Sequence, residues 1–99
     1  MQRKLRPRIF EFVVNILKLS RNFSNSVEYN VIKYQLIRSA TSSGANYEES
    51  QGAGSRADFS HKVRIALKEM RETNYWLRLL KEISSEKALD FEALISESE

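Results

Sequence analysis

Residues 55–83, SRADFSHKVRIALKEMRETNYWLRLLKEI, decide the fold of this chain. Ser55 and Asp58 fit the S-x-x-[DE] capping box, in which a hydroxyl and a carboxylate satisfy unpaired backbone N–H groups at a helix start. Apolar or small residues then recur at spacings that alternate between four and three, which is a heptad seam. The seam consists of Phe59, Val63, Ala66, Met70, Thr73, Leu77 and Leu80. The pattern predicts one long helix over residues 55–83 that packs into a left-handed bundle.

A row of mainly cationic residues lies almost opposite this seam, since successive residues of a helix are about 100° apart. We call it the basic stripe; with His61 at its head, it consists of Arg64, Lys68, Arg71, Tyr75 and Arg78. Guanidinium groups can grip phosphate through two hydrogen bonds, and a tyrosine ring can stack on an unpaired base. The stripe therefore predicts nucleic-acid binding. The alternative is a salt-bridged solvent face with two i,i+4 pairs, Lys68–Glu72 and Arg78–Glu82.

A second apolar edge runs beside the basic stripe, although Glu69 and Glu72 interrupt it. One core does not need a further apolar edge on the same helix, and an outward Trp among aliphatic side chains is typical of subunit contacts. The sequence therefore predicts an oligomer interface whose members are Ile65, Trp76, Leu79 and Ile83.

The chain as a whole has the size and composition of one small domain, residues 1–99. Burial is adequate but not generous at this length, so oligomerisation would add stability. The absence of cysteine excludes disulfides, zinc–thiolate sites and a cysteine nucleophile. There is neither an apolar run of about 18 residues nor the pattern of a signal peptide. We therefore expect a cytoplasmic protein that does not span a membrane.

Positive charge is concentrated in the N-terminal third of the chain. Residues 1–38 carry eight Lys or Arg against two Glu, whereas residues 39–99 carry eight against eleven acidic residues. Four cations crowd around a predicted basic arm at residues 1–7: Arg3, Lys4, Arg6 and Arg8. Such an arm can contact phosphate and would extend the nucleic-acid-binding surface, although a solvated tail is the alternative.

Three further helices are predicted, near residues 8–23, 31–50 and 86–97. Pro7 suits a first helical turn. The first helix is apolar around much of its circumference, because Phe10, Val14 and Leu17 form a face apart from its core positions. A helix of this kind is buried on several sides, which again indicates neighbours beyond its own bundle.

The second helix contains a segment without large side chains, SATSSGA at residues 39–45. Helix propensity is poor there, so a flexible linker is one interpretation. We favour a helix whose small residues let a neighbouring backbone approach closely. The apolar period supports this choice, because it continues on both sides of the segment through Ile32, Leu36, Ala40, Ser43 and Tyr47.

The residues offer little for catalysis or for a cofactor. Asp58-x-x-His61 is the one approximation to the Glu-x-x-His pairs of di-iron bundles, and Asp58 already has a capping role. Glu48 and Glu49 could serve a metal or a base, but we expect one of them to make a structural contact with Arg38 or with a backbone end. Residues 52–54, GAG, lack the lysine and the preceding strand of a phosphate-binding loop. We therefore expect no metal site, no cofactor and no enzymatic activity.

Four runs of the sequence, in their order and spacing, resemble a known family. They are LIRSATSSGANYEE at residues 36–49, DF at 58–59, IALKE at 65–69 and ETNYWL at 72–77. The resemblance is to the four-helix-bundle proteins of the 23S ribosomal RNA intervening-sequence family. It implies an all-α, antiparallel up-down four-helix bundle and a homo-oligomer, a ring of five. The last helix of that family usually continues past the point where this sequence stops, so we expect a short or truncated fourth helix.

A related branch of that family is the accessory variability protein of diversity-generating retroelements, which works with a reverse transcriptase and binds nucleic acid through a basic surface. Together with the basic stripe, the resemblance leads us to expect a non-catalytic, homo-oligomeric accessory module that binds nucleic acid with low sequence specificity. The alternative is a structural oligomer that docks a protein partner, such as a reverse transcriptase, through its outer helices.

Overall fold

Four helices make up the computed structural model of this chain, which describes residues 2–23, 25–84 and 88–99, with side chains for 5–23, 25–84 and 91–99. The helices are α1 (Gln2–Ser20), α2 (Val27–Ser50), α3 (Arg56–Ile83) and α4 (Ala88–Ser98). Both α1 and α3 pack against α2 and α4, so each helix lies beside its neighbours in sequence. This arrangement confirms the predicted all-α, up-down four-helix bundle with a short last helix, and the described residues contain no strand.

The longest helix, α3, begins and ends where the sequence predicts. Ser55 is its N-cap, and the Ser55 hydroxyl accepts a hydrogen bond from the Asp58 backbone N–H at 3.1 Å. At 1.5 Å per residue, a helix of this length measures roughly 42 Å. That is close to the 45 Å long axis of the molecule. α3 therefore runs the length of the bundle, and its seam is largely buried from Ala66 to Leu80.

The second helix, α2, begins at Val27 rather than near residue 31 as predicted. The cause is a cap that the apolar pattern does not show: the Ser26 hydroxyl accepts a hydrogen bond from the Tyr29 backbone N–H at 3.2 Å. Such a cap satisfies one of the unpaired N–H groups of the first turn, so the polar residues after it can be helical.

The first helix, α1, also begins earlier, at Gln2 rather than near residue 8, and it ends at Ser20. The predicted basic arm is therefore helical from Gln2 onward, and Pro7 lies inside the helix rather than in its first turn. Arg6 forms an ion pair with Glu48 of α2, and Arg8 with Glu97 of α4. These contacts between distant parts of the chain hold the early turns of α1 on the bundle.

The small residues of α2 are helical and not a linker, and α3 packs directly on them. Ser39 Oγ lies 2.8 Å from Thr73 Oγ1. The Ser43 hydroxyl donates a hydrogen bond to the backbone carbonyl oxygen of Ala66 at 2.9 Å. A side-chain-to-backbone bond between two helices requires that their backbones lie close together, and small side chains permit this. The prediction of close backbone approach at residues 39–45 is confirmed.

On its other side, the same segment of α2 receives α1. A Cβ atom added to Gly44 would lie 3.2 Å from Val13 Cγ2 and 3.8 Å from Ile9 Cγ2. The first distance is tighter than ordinary van der Waals contact, so the missing side chain of Gly44 leaves the space that α1 fills. Fully buried side chains from all four helices meet in the core; among them are Ile16, Leu36, Leu77, Leu80 and Phe91.

None of the described helices is both long enough and apolar enough to cross a bilayer.

Candidate nucleic-acid interface

The basic stripe lies on the outer side of α3, where all five of its members are exposed to solvent. Successive members are three or four residues apart, so at 1.5 Å per residue the row is nearly straight and roughly 21 Å long. α2 packs along one flank of α3 and α4 along the other. The stripe is therefore the crest of a three-helix surface and not the wall of a cleft.

Two glutamates beside the stripe are held away from it by an arginine of α2. Arg38 Nη1 lies 3.3 Å from Glu69 Oε1, and Arg38 also forms an ion pair with Glu72. Glu72 accepts a second hydrogen bond, from the Trp76 indole N–H at 2.9 Å. These contacts orient both carboxylates toward the α2–α3 boundary.

Neither of the salt bridges that the sequence suggested within α3 forms among the described side chains. Glu72 pairs with Arg38 and not with Lys68. Arg78 donates from Nε to Asn74 Oδ1 at 2.9 Å instead of pairing with Glu82. In the described part of the chain, the four cations of the stripe have no carboxylate within salt-bridge distance; they are Arg64, Lys68, Arg71 and Arg78. The alternative interpretation of the stripe, a salt-bridged solvent face, rested on Lys68–Glu72 and Arg78–Glu82, and the described residues form neither pair.

The aromatic member of the stripe, Tyr75, has a fixed setting. Its side chain is 48% exposed. The Arg78 guanidinium carbon stands 5.9 Å from the Tyr75 ring centroid, and the Trp76 ring meets it at 71° with centroids 4.9 Å apart. A cation over the ring and an aromatic neighbour at a steep angle both restrict the ring. Tyr75 therefore offers a held, accessible π surface between charged groups.

Several cations outside the stripe form ion pairs with carboxylates of the same chain. Arg6 and Arg8 have the carboxylate partners Glu48 and Glu97, described above. Lys62 Nζ donates to Glu49 Oε1 at 2.8 Å, and this hydrogen bond with its favourable charge raises the pKa of Lys62. Glu48 and Glu49 thus have structural contacts, but with Arg6 and Lys62; the predicted contact with Arg38 is wrong, because Arg38 pairs with Glu69 and Glu72. Lys81 pairs with Glu92 of α4.

The structure does not bring Arg6 and Arg8 to the basic stripe. α1 and α3 meet only through side chains in the core, since their Cα atoms stay more than 8 Å apart. The two helices therefore lie diagonally across the bundle, and the outer side of α3 faces away from α1. The side chains of Arg3 and Lys4 lie outside the described residues. Arg6 and Arg8, both exposed, belong to a different surface from the stripe.

The predicted oligomer interface is only partly accessible in the single chain. Ile65, Trp76 and Leu79 are half-buried, and the last two pack against the core. Ile83 is exposed, and its carbonyl oxygen accepts a hydrogen bond from the Tyr29 hydroxyl at 3.1 Å. Subunit contact at these residues remains a prediction.

A larger apolar surface lies elsewhere, between α1 and α2. Phe10 is 73% exposed and Tyr34 is 65% exposed. A groove of about 760 Å³ runs between the two helices, with Gly44 and Ala45 on its α2 side and Ile9 on its α1 side. We call this surface the α1–α2 face. The extra apolar residues of the first helix indicated this face in the sequence, but the interface predicted by residue lies on α3.

The described residues do not form a metal site. No group of three or more His, Asp or Glu side chains among them could hold an ion. His61 is exposed at the head of the stripe, and the Asp58 backbone N–H is engaged in the α3 cap.

Comparisons with known proteins agree with this architecture. The model of the family described as "23S rRNA-intervening sequence protein" matches residues 4–99. A crystal structure of a protein with unknown function from the S23 ribosomal protein family, from Bacteroides thetaiotaomicron VPI-5482, superposes with a TM-score of 0.84. The two chains are 40% identical, and the match covers 94% of this chain and 86% of that one. No curated protein matches the chain.

Proposed function

This chain belongs to the 23S rRNA-intervening sequence protein family, and we propose that it is a non-catalytic, homo-oligomeric accessory module that binds nucleic acid. The basic stripe is the surface that we assign to this function. We place the protein in the cytoplasm and, following the family resemblance, in a ring of five subunits. Binding is dominated by phosphate contacts and shows low sequence specificity.

The observation that carries the proposal is that Arg38 holds Glu69 and Glu72 away from the stripe. Surface cations that are already paired with carboxylates have little charge left for a ligand. Cations without such partners can neutralise phosphates and release the counterions condensed on a nucleic acid, which drives association. The four cations of the stripe are of this unpaired kind among the described side chains.

Low specificity follows from the shape of the surface. α2 and α4 flank α3 and restrict how deeply α3 can enter a major groove, which is about 12 Å wide and admits a single helix. The cations can then reach phosphates but not base edges, and phosphate contacts position a nucleic acid without reading its sequence. In an oligomer the stripe is repeated, and linked weak sites bind far more tightly than one site alone.

The test is a binding titration at several salt concentrations with a mixed-sequence oligonucleotide. The variant is Arg64→Gln/Arg71→Gln/Arg78→Gln. We expect lower affinity for all sequences alike, and the slope of log affinity against log salt should fall by roughly 0.7 to 0.9 for each lost phosphate contact. The fold should survive, because exposed substitutions change the free energy of unfolding by no more than about 0.5 kcal/mol each.

The matched control removes charge from the same helix at ion-paired positions, Lys62→Gln and Lys81→Gln. Per charge removed, the control should change the salt slope less than the stripe variant does. Unchanged affinity and slope in the stripe variant would remove the stripe from consideration.

A second candidate function is a structural oligomer that docks a protein partner, such as a reverse transcriptase, through its outer helices. The exposure of Phe10 and Tyr34 on the α1–α2 face favours it. Exposed apolar surfaces of this kind mark protein contacts, whereas nucleic acid selects charge.

Sedimentation of the native chain at micromolar concentration tests self-association, and we expect an oligomer; a monomer would contradict the homo-oligomer in both candidates. Ile83→Ser and Phe10→Ser then locate the interface, because both side chains are exposed and their loss should spare the core. The interface predicted on α3 requires that Ile83→Ser dissociates the oligomer while Phe10→Ser does not. The opposite result would assign subunit contact to the α1–α2 face.

A further inference from the structure

The arrangement of the basic stripe discriminates between paired and unpaired nucleic acid. This inference rests on the proposed function and names the class of ligand that the stripe takes. Three observations bear on it: the straightness of the row, its position on a crest, and the setting of Tyr75 within it.

A straight row of cations matches a duplex poorly. Each strand of a duplex advances 3.4 Å per nucleotide along the axis, so a row of roughly 21 Å spans about six base pairs. That is more than half of a helical turn of about 10 base pairs, and over this distance a given strand winds to the far side of the duplex. Only part of the row could touch one duplex strand. A single strand is flexible and can follow the whole row.

The neighbours of α3 limit how closely a duplex can be engaged. α3 is flanked on both sides by packed helices, which restrict how deeply it can enter a DNA major groove. The major groove of an RNA duplex is narrower still, and side chains cannot read it. With either duplex, contact is limited to the tips of a few cationic side chains.

Tyr75 provides a contact that only an unpaired base can use. It lies between Arg71 and Arg78 in the row, and its ring is held by the Arg78 guanidinium and the Trp76 ring. Arg78 is in turn fixed by the hydrogen bond from its Nε to Asn74 Oδ1. In a duplex the faces of the bases are covered by their stacked neighbours, whereas an unpaired base can place its face on an aromatic side chain.

We infer that the basic stripe binds a single-stranded segment of nucleic acid, with one unpaired base stacked on Tyr75 and the adjacent phosphates on Arg71 and Arg78. DNA and RNA share the chemistry required, namely a flexible phosphate backbone and a base with an accessible face. The stack is indifferent to base identity, since every base has such a face.

The experiment compares oligo-dT, oligo-U and a duplex that carries the same number of phosphates, each titrated at matched salt. The native chain should bind the single strands about tenfold more tightly than the duplex, the size expected for one stacked base. Tyr75→Leu should lose this preference while its salt slope stays unchanged, because no charge is removed. Tyr75→Phe keeps the ring and should keep the preference. A further titration with oligo-dU, which differs from oligo-U only in lacking the 2′-hydroxyl, shows which backbone the site favours.

The matched control is Tyr34→Leu, which removes an exposed tyrosine from α2, away from the stripe; it should leave the preference intact. Trp76 is the single tryptophan of the chain, so its fluorescence reports on the ring beside it. Its emission should change with single strands and not with the duplex.

The outcomes separate this inference from the function on which it rests. Equal affinity for single strands and duplex, or an undiminished preference in Tyr75→Leu, would overturn the stacked single strand. The phosphate-binding function would still stand if the triple arginine variant weakened both ligands. If none of the three ligands bound, the function and the inference would both be wrong.

Discussion

The inner and outer sides of α3 differ in how their polar groups are satisfied. On the inner side Thr73 is fully buried, and its hydroxyl bonds to the Glu69 carbonyl oxygen at 2.9 Å and lies 2.8 Å from Ser39 Oγ. No buried side-chain nitrogen or oxygen in the described structure lacks a partner. On the outer side the cations of the basic stripe have no carboxylate partners among the side chains that the structure describes. The same helix is thus complete on one side and open to a ligand on the other.

The difference teaches that the boundary between the two sides matters as much as either side. Glu69 and Glu72 sit at this boundary, and Arg38 of α2 holds both. Burial forces the inner side to satisfy its hydrogen bonds within the protein, because water cannot reach it. The outer side is open to water and need not pair its charges within the protein. Its net charge therefore depends on whether Glu69 and Glu72 point toward Arg38 or toward the stripe.

The largest expected effect comes from breaking the inner side. Leu77 is fully buried in the core, whereas Leu67 on the same helix is 61% exposed. Leu77→Ala should lower the free energy of unfolding by about 2–5 kcal/mol, since it loses buried surface and leaves a cavity. Leu67→Ala, the same change on the outer side, should shift it by no more than about 0.5 kcal/mol. Urea denaturation followed by circular dichroism measures both, and equal losses would contradict the contrast between the sides.

A smaller effect is expected when the boundary is opened. Arg38→Met removes the ion-pair partner of Glu69 and Glu72, while Glu72 keeps the hydrogen bond from Trp76, and it should lower the free energy of unfolding by about 0.2–1 kcal/mol, the range for partly exposed ion pairs. Glu72 can then turn to Lys68, four residues away on α3. Affinity for nucleic acid should fall about 1.4- to 2.3-fold, which corresponds to the roughly 0.2–0.5 kcal/mol of one such pair.

Two further variants sharpen this result. Lys62→Met removes the same charge from another α2–α3 ion pair and should weaken nucleic-acid binding less. Adding Glu72→Gln to Arg38→Met should restore affinity, because the freed carboxylate is gone. If Arg38→Met bound nucleic acid as tightly as the native chain, control of the stripe by the boundary carboxylates would be refuted.

Periodicity was the most informative signal in this sequence, and its misses have local causes. It located α3 and its cap, and it predicted that residues 39–45 pack closely as a helix, both of which the structure confirms. It placed the start of α2 too late because the cap at Ser26 precedes the first apolar residue of the pattern. It missed the early start of α1 because Pro7 is typical of a first helical turn, whereas here it lies inside the helix.

The candidate site was also predicted only in part: the sequence located the stripe but not the partners of its charged neighbours. Positions at intervals of three and four residues place the stripe on one face of α3, which a helical wheel predicts without a fold. The sequence also offered two neutralising pairs for that face, Lys68–Glu72 and Arg78–Glu82. Lys68–Glu72 could not be excluded along one helix, because the competing partner of Glu72, Arg38, lies on α2. Arg78 instead bonds to Asn74 on the same helix, and residue spacing alone does not distinguish this partner from Glu82.

The sequence by itself therefore determined the helices, the seam that joins them and the row of cations, because helix geometry depends on residues three and four apart. Only the tertiary structure decided which carboxylates the cations meet and which apolar residues stay exposed. Arg38 reaches Glu72 from another helix, and α1 leaves Phe10 in solvent while it buries Ile16. These outcomes depend on how helices lie beside one another, and contacts between residues distant in sequence set that arrangement.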